Sequence, residues 1–284
     1  MDQSRIRHDL FLRYRLIEII AFWEGRLTTN HLQHAFGFTR QSASKTINDY
    51  IKIAPDNLIY EASNRGYRAS EVFSPQFSQG NSDEYLDLIG SQTAPNSMFG
   101  TLALKPANCA VLHPPLRNLD PAVVRPIVQA CQDNLRLEVN YVSLANPSKD
   151  QRVIVPHTLV HTGVRWHARA YCEKNKSFRD FVLSRFVGTP EVVTASEITS
   201  EQDTDWNTWI DVIIRPDSRM KKEQRQVVER EYGMAEGVLK VTIRGPLVQY
   251  YLDLIQIDTK VLKLNPSSQQ IIVENFDELQ RWLF

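Results

Sequence analysis

From Arg40 to Asn48 the chain reads Arg-Gln-Ser-Ala-Ser-Lys-Thr-Ile-Asn, with no acidic residue. Gln and Asn amides can pair bidentately with adenine, and a Lys ammonium can reach the N7 and O6 acceptors of guanine. At about 100° per residue, Ala43, Ile47, Tyr50 and Ile51 fall on one side of a helix. Gln41, Ser42, Lys45 and Asn48 fall on the other, with Asp49 and Lys52 beside them. A helix that anchors one face in its own domain and offers the other to a DNA groove needs that division. Arg40 opens the helix, where free backbone N–H groups also favour phosphate. Farther on, Arg65 and Arg68 flank Tyr67, and the narrow minor groove attracts such arginines. The DNA-contacting candidates are Arg40, Gln41, Ser42, Ser44, Lys45, Asn48, Arg65 and Arg68. A merely solvated face explains any one polar helix, but not the absence of acid across residues 40–48.

The elements that must position these residues follow from periodicity and punctuation. Residues 4–23 predict a helix, because Ile6, Leu10, Tyr14, Ile17 and Ala21 recur at spacings of three and four. A short helix to about Phe36 follows, with Thr29 or Asn30 as its cap. Gly37 ends it, Thr39 caps a third helix over 40–51, and Pro55 stops that helix. Leu58–Tyr60 and Gly66–Ala69 predict two strands joined by a turn through Ser63, Asn64 and Arg65. Three helices and a hairpin in this order make a winged helix-turn-helix, assigned to residues 1–75. Residues 76–130 read as a linker, with short helices near Asp83–Ile89 and from Pro121 after a capping Asp120.

A second chemical pattern lies in residues 131–192, where close-spaced short strands at Leu137–Ser143, Arg152–Pro156, Leu159–His161, Trp166–Cys172 and Phe178–Phe186 predict a small barrel. Alternate strand residues share a face, so Arg165, His167, Arg169 and Tyr171 form one row. Unpaired charge is costly to bury, so such a row suits an anionic ligand, or else plain solvent. Trp166, of opposite parity, is expected in the core. Residues 206–284 predict an α+β module without a chemical signature. Asp203 and Asp205 read as solvated loop carboxylates.

Thr158 to Arg185 reads TLVHTGVRWHARAYCEKNKSFRDFVLSR and resembles the core of WYL-domain transcription regulators. Only Trp166 of the Trp-Tyr-Leu triplet is kept, His167 and Ala168 standing in the other two places. Val139–Ser143, Val155-Pro156-His157 and Phe181–Arg185 are similar to the flanking strands of that family. Gly37–Ser44 and Tyr60–Ser63 resemble the BrxR and CapW phage-defence repressors that accompany BREX and CBASS systems. The resemblance implies an SH3-like (Sm-like) barrel, a homodimer, a palindromic double-stranded DNA operator and a C-terminal dimerisation module. It also implies a ligand site on the barrel, carried by position onto Tyr141, Ser143, His157, Arg169 and Arg185, for a nucleotide or nucleic-acid fragment.

The whole is expected to be a multidomain α+β protein. Its 284 residues, 42% hydrophobic and 23% charged, suffice for several cores. The zero net charge hides a partition: +3 over residues 1–68, −2 over 69–129, +4 over 130–190 and −5 over 191–284. Cys109, Cys131 and Cys172 are scattered and odd in number, which fits free buried thiols and a cytoplasmic protein. No leader or membrane span is expected. His157 and His161, four apart on a strand, would lie ~13 Å apart and could not share a metal ion. Phosphate-loop, dinucleotide, zincin and serine-elbow motifs are missing, so neither enzyme activity nor a cofactor is expected. The alternative is a nucleic-acid-processing enzyme, or its accessory subunit, targeted by the same N-terminal domain.

Overall fold

The computed structural model describes residues 7–93, 109–115, 117–145, 147–148, 150–259 and 265–284. The chain divides into two compact units, Met1–Pro114 and Pro115–Phe284. Among the described residues no helix is long and apolar enough to cross a membrane.

Unit 1 runs α1 (His8–Ile19), α2 (Thr29–Phe36), α3 (Arg40–Ile53), β1 (Leu58–Glu61), β2 (Gly66–Ala69) and α4 (Ser82–Thr93). The expected first helix divides: α1 passes into a π turn over Ile20–Glu24, and Gly25 at φ +65° ends it. The start expected at residues 4–6 lies outside the described residues. The cap of α2 is Thr28 rather than Thr29 or Asn30. The Thr28 backbone N–H donates to His31 Nδ1 at 2.9 Å. Gly37 at φ +67° closes α2, and Thr39 caps α3 by accepting from the Ser42 amide at 3.2 Å.

The core of this unit gathers Tyr14, Ile17 and Ile20 of the first helical segment with Leu32, Ala43, Ile47 and Tyr50. Each fully buried aliphatic side chain here contributes roughly 1.5–3 kcal/mol. Residues 76–89, expected to begin a linker, instead pack on α1 and the π turn that follows it. Phe77 and Ile89 are buried, Trp23 stacks on Tyr85 at 5.4 Å, and Arg15 pairs with the buried Glu84 at 2.5 Å. Buried apolar surface, unreadable in a Ser- and Gln-rich stretch, holds them there.

Unit 2 begins with α5 (Pro121–Asp133), capped by Asp120, which accepts from the Ala122 amide at 2.8 Å. The helix buries Val123, Ile127 and Ala130 against the sheet, so it belongs to the barrel core rather than to a linker. The strands are β3 (Leu135–Tyr141), β4 (Asp150–His161), β5 (Trp166–Cys172), β6 (Ser177–Val182) and β7 (Glu191–Ala195). They form one antiparallel sheet in the order β6-β5-β4-β3-β7. The sheet curls back on itself after β6, where the Val142 amide donates to the Arg185 carbonyl at 3.0 Å and Tyr141 bridges Phe186. The strands expected at Arg152–Pro156 and Leu159–His161 are one, interrupted by a bulge between Pro156 and Thr158.

The C-terminal module holds β8 (Trp209–Pro216), α6 (Lys222–Glu231), β9 (Leu239–Arg244), α7 (Val248–Leu254), β10 (Ile271–Val273) and α8 (Phe276–Leu279). Its three strands pair antiparallel in the order β10-β8-β9. Val212, Ile214, Val228, Val248, Leu252 and Ile271 make its core. Of the three cysteines only Cys172 is buried; Cys131 is half-buried and Cys109 exposed, so the thiols are free but not uniformly buried.

Candidate nucleic-acid interface and ligand face

On α3 the division expected from the sequence is realised. Ala43, Thr46, Ile47 and Tyr50 are buried, while Arg40, Gln41, Ser42, Ser44, Lys45 and Asn48 are exposed. Thr46, read only as part of a polar stretch, turns inward and donates to the Ser42 carbonyl at 2.9 Å. Lys52 is held by Asp49 at 2.7 Å, whereas Arg40 and Lys45 enter no ion pair among the described residues. The Lys52 hydrogen bond holds the Asp49 carboxyl below the usual range. The ridge therefore offers two uncommitted cations and several amide and hydroxyl groups, with its one acid already neutralised.

The wing is fixed to the body by backbone pairing. Leu27 and Tyr67 exchange N–H···O bonds of 2.7 and 2.8 Å, which adds a third strand-like edge to the hairpin. That approach requires Gly66, because a Cβ there would meet the Leu27 carbonyl oxygen at 2.9 Å. Arg65, exposed at the tip, adopts φ +47°. Arg68 is half-buried and donates to the Ala69 carbonyl at 3.2 Å, so it is less free than Arg65.

A buried carboxylate that the sequence reading missed orients α3. Glu18 is fully buried and accepts from Tyr50 Oη at 2.9 Å and from the amides of Gln76, Phe77 and Ser78 at 2.9, 2.9 and 2.7 Å. Asn57 Nδ2 donates to Tyr50 Oη at 2.8 Å. Burial, and then the Glu18 charge, push the Tyr50 phenol upward. One node thus ties α1, α3 and residues 76–78 together. The only signal was an acid between Ile17 and Ile19 on an otherwise apolar turn.

On the barrel the expected row exists, but it is largely covered from within the same unit. Arg169 is buried and grips Asp203 bidentately, Nε to Oδ2 at 2.7 Å and Nη2 to Oδ1 at 3.1 Å. Its Nη1 reaches Asp180 at 3.3 Å. His157 sits at the β4 bulge, with Nε2 3.2 Å from Asp203 and Nδ1 2.8 Å from Thr158 Oγ1. A carboxylate only accepts, so Nε2 carries the proton. Asp203, read from the sequence as a solvated loop residue, is therefore buried and fully used. Burial pushes its carboxyl up, but His157, Arg169 and the Trp206 amide outweigh that and hold it at about 2. Asp180 moves the other way: its burial outweighs Arg169 and raises it. Tyr250 of α7 donates to Asp180 at 3.2 Å and lies over His167 at 5.1 Å.

The remaining ligand candidates divide. Tyr141 lies in the barrel core, its Oη accepting the Val182 amide at 3.1 Å, rather than on an open face. Ser143 is half-buried just past β3. Arg185 is on a 3₁₀ turn instead of a strand, half-buried, and without an ion pair among the described residues, as is Arg165. Between them His167 is buried with Nδ1 unpartnered, and burial together with the Arg165 and Arg185 charges lowers its pKa to about 4. Trp166, expected in the core, is 43% exposed and rests on His161 at 4.7 Å. It opens β5 beyond the end of the packed face.

Comparison with known proteins places three domains along the chain. Residues 9–91 match the BrxR transcriptional regulator winged helix-turn-helix domain, 122–189 the WYL domain, and 209–279 the BrxR transcriptional regulator C-terminal dimerization domain. A DNA-binding transcriptional repressor CapW of Escherichia coli (strain KTE188) is 33% identical over 95% of this chain and 88% of its own. The CapW of Pseudomonas aeruginosa is 32% identical over 95% and 89%. That of Stenotrophomonas maltophilia is 28% identical over 99% and 94%. Proteasome accessory factor B/C of Arthrobacter aurescens aligns at 14% identity over 97% of this chain and 46% of its own, with a TM-score of 0.29 that carries no structural argument.

Proposed function

The chain belongs to the family of the CapW DNA-binding transcriptional repressors, and from that premise we infer that it is itself a homodimeric, sequence-specific repressor. The observation that carries this reading is the α3 ridge: exposed, free of acid from Arg40 to Asn48, and backed by a buried opposite face. Gln41, Lys45 and Asn48 read base edges in the major groove, Arg40, Ser42 and Ser44 position the helix on the backbone, and Arg65 and Arg68 of the wing follow the duplex. Two such units in a dimer take a palindromic operator, whose genes, on the family's precedent, serve phage defence.

The barrel supplies control by an anionic ligand, a nucleotide or nucleic-acid fragment. Arg185, Arg165 and Ser143 receive it. Arg169 and His157 already hold a carboxylate, Asp203, so a ligand anion reaches them only by displacing it. Tyr141 shapes the barrel beneath. A ligand shifts the repressor only so far as it binds the DNA-free state more tightly.

The test is the full-length protein on a labelled fragment of its own upstream region. The expected result is a sharp shift that weakens steeply as salt rises. Absence of any shift at modest salt overturns the repressor reading, and cleavage of the fragment with a divalent metal supports the nucleic-acid-processing alternative.

A further inference from the structure

In the C-terminal module one face of the three-stranded sheet is covered by helices and, among the described residues, no helix packs on the other. Ile210, Val212 and Ile214 of β8 point to the face packed by α6 and α7. The alternate residues, Trp209, Asp211, Ile213 and Arg215, point to the opposite face, where Trp209 pairs in register with Arg244 and Asp211 with Thr242. Trp209 is 57% exposed, and Lys240 and Thr242 beside it are exposed as well. We propose that this second face, centred on Trp209 and Arg244, is the surface through which two copies of the chain associate. The proposal rests on the homodimeric reading above and names its surface.

Three observations select this face and this occupant. First, the stretch that matches a dimerization domain begins at Trp209 and spans all three strands. The other strongly exposed apolar residues of the module are committed or isolated. Leu254 lies against Gly163 of the barrel, Phe284 packs on Tyr250, and Val227 stands alone on α6. Secondly, the guanidinium of Arg244 lies 4.7 Å from the Trp206 ring and 4.5 Å from the Trp209 ring, and donates to the Trp206 carbonyl at 2.6 Å. This preassembled Trp-Arg stack costs little side-chain entropy on docking, and Trp and Arg are the residues that dominate interface energies.

Thirdly, the charges of the face are matched before contact. Asp211 holds Lys240 at 2.7 Å and Thr242 at 2.6 Å, and Glu274 holds Arg215 at 2.6 Å. A two-fold dimer sets the same patch against itself. A face bearing three cations and two carboxylates, four of them already in pairs, meets its own copy without strong repulsion. A one-signed nucleic acid or a strongly charged partner has no such match here.

The test measures the dimer dissociation constant of the full-length chain by analytical ultracentrifugation, beside Trp209→Glu, Thr242→Arg on the same face, and Val227→Glu on α6. Far-ultraviolet dichroism and thermal melting confirm that each is folded. Thr242→Arg keeps the test valid should Trp209→Glu fail to fold, because Thr242 is exposed. The expected result is a rise of about 30-fold or more in the dissociation constant for both sheet-face variants, with Val227→Glu unchanged. A dimer unaffected by both sheet-face variants overturns the surface while leaving the homodimeric reading intact. A wild-type chain that is monomeric overturns both.

Discussion

Replacing Arg169 by alanine leaves two carboxylates, the buried Asp203 and the half-buried Asp180, without the guanidinium that both contact. Breaking a buried ion pair from one side typically costs 3–5 kcal/mol, because the remaining charge is desolvated and uncompensated. Here Asp203 keeps His157 and the Trp206 amide, and Asp180 keeps Tyr250, so the lower end, about 3 kcal/mol, is expected. Four of the five tryptophans, including the buried Trp206, lie in Pro115–Phe284, so denaturant unfolding followed by fluorescence reports on that unit. Arg169→Ala should move its transition to markedly lower denaturant, and Asp203→Asn should move it less. Arg169→Ala would thus lose ligand response and fold stability together. A loss of response with a stability change below about 1 kcal/mol would show Arg169 to be a free ligand contact, not a buried structural one.

His167 titrates near 4 in the fold and near 6.5 when unfolded, so between those values the unfolded chain binds the extra proton. Stability should therefore fall by roughly 3 kcal/mol as the pH drops from 6.5 to 4, and His167→Gln should flatten that slope in pH-dependent unfolding. Glu18→Ala strands Tyr50 Oη and three amides inside Met1–Pro114, and should lower the stability of that unit by about 3 kcal/mol or more. Hydrogen exchange at residues 76–78 would rise with it; unchanged exchange there would contradict the role assigned to Glu18. Gln41→Ala should cost about 1–3 kcal/mol on the operator but little on random DNA. Arg65→Ala should weaken both alike and lower the salt slope by about one; equal losses for Gln41→Ala on both DNAs would remove it from the groove.

The helix-turn-helix was legible because its signals are local. Gly37, Thr39 and Pro55 punctuate a 3.6-residue pattern, and the structure ends α3 within two residues of the expected end. Strand β5 was legible for the same reason, residue for residue. What the sequence hid is long-range. Alternation placed Arg169 in the correct row, but nothing local said that Asp203, 34 residues on, would cover it. The rule that unpaired charge avoids burial was sound; the pairing itself was invisible. Likewise Ser- and Gln-rich residues 76–81 look like linker, yet their backbone amides are what neutralise Glu18. Trp166 was misplaced because parity says which side of a strand a residue takes, not how far the packed layer extends along it.

The proposed repressor activity depends on the exposed side of α3 reading base edges in the major groove. Methylation interference on the protein's own upstream fragment tests it most directly, since dimethyl sulfate marks guanine N7 in the major groove and adenine N3 in the minor groove. Interference by guanine N7 methyl groups in two symmetric half-sites is the predicted result. Interference confined to adenine N3, or found at no position, would remove α3 from the major groove.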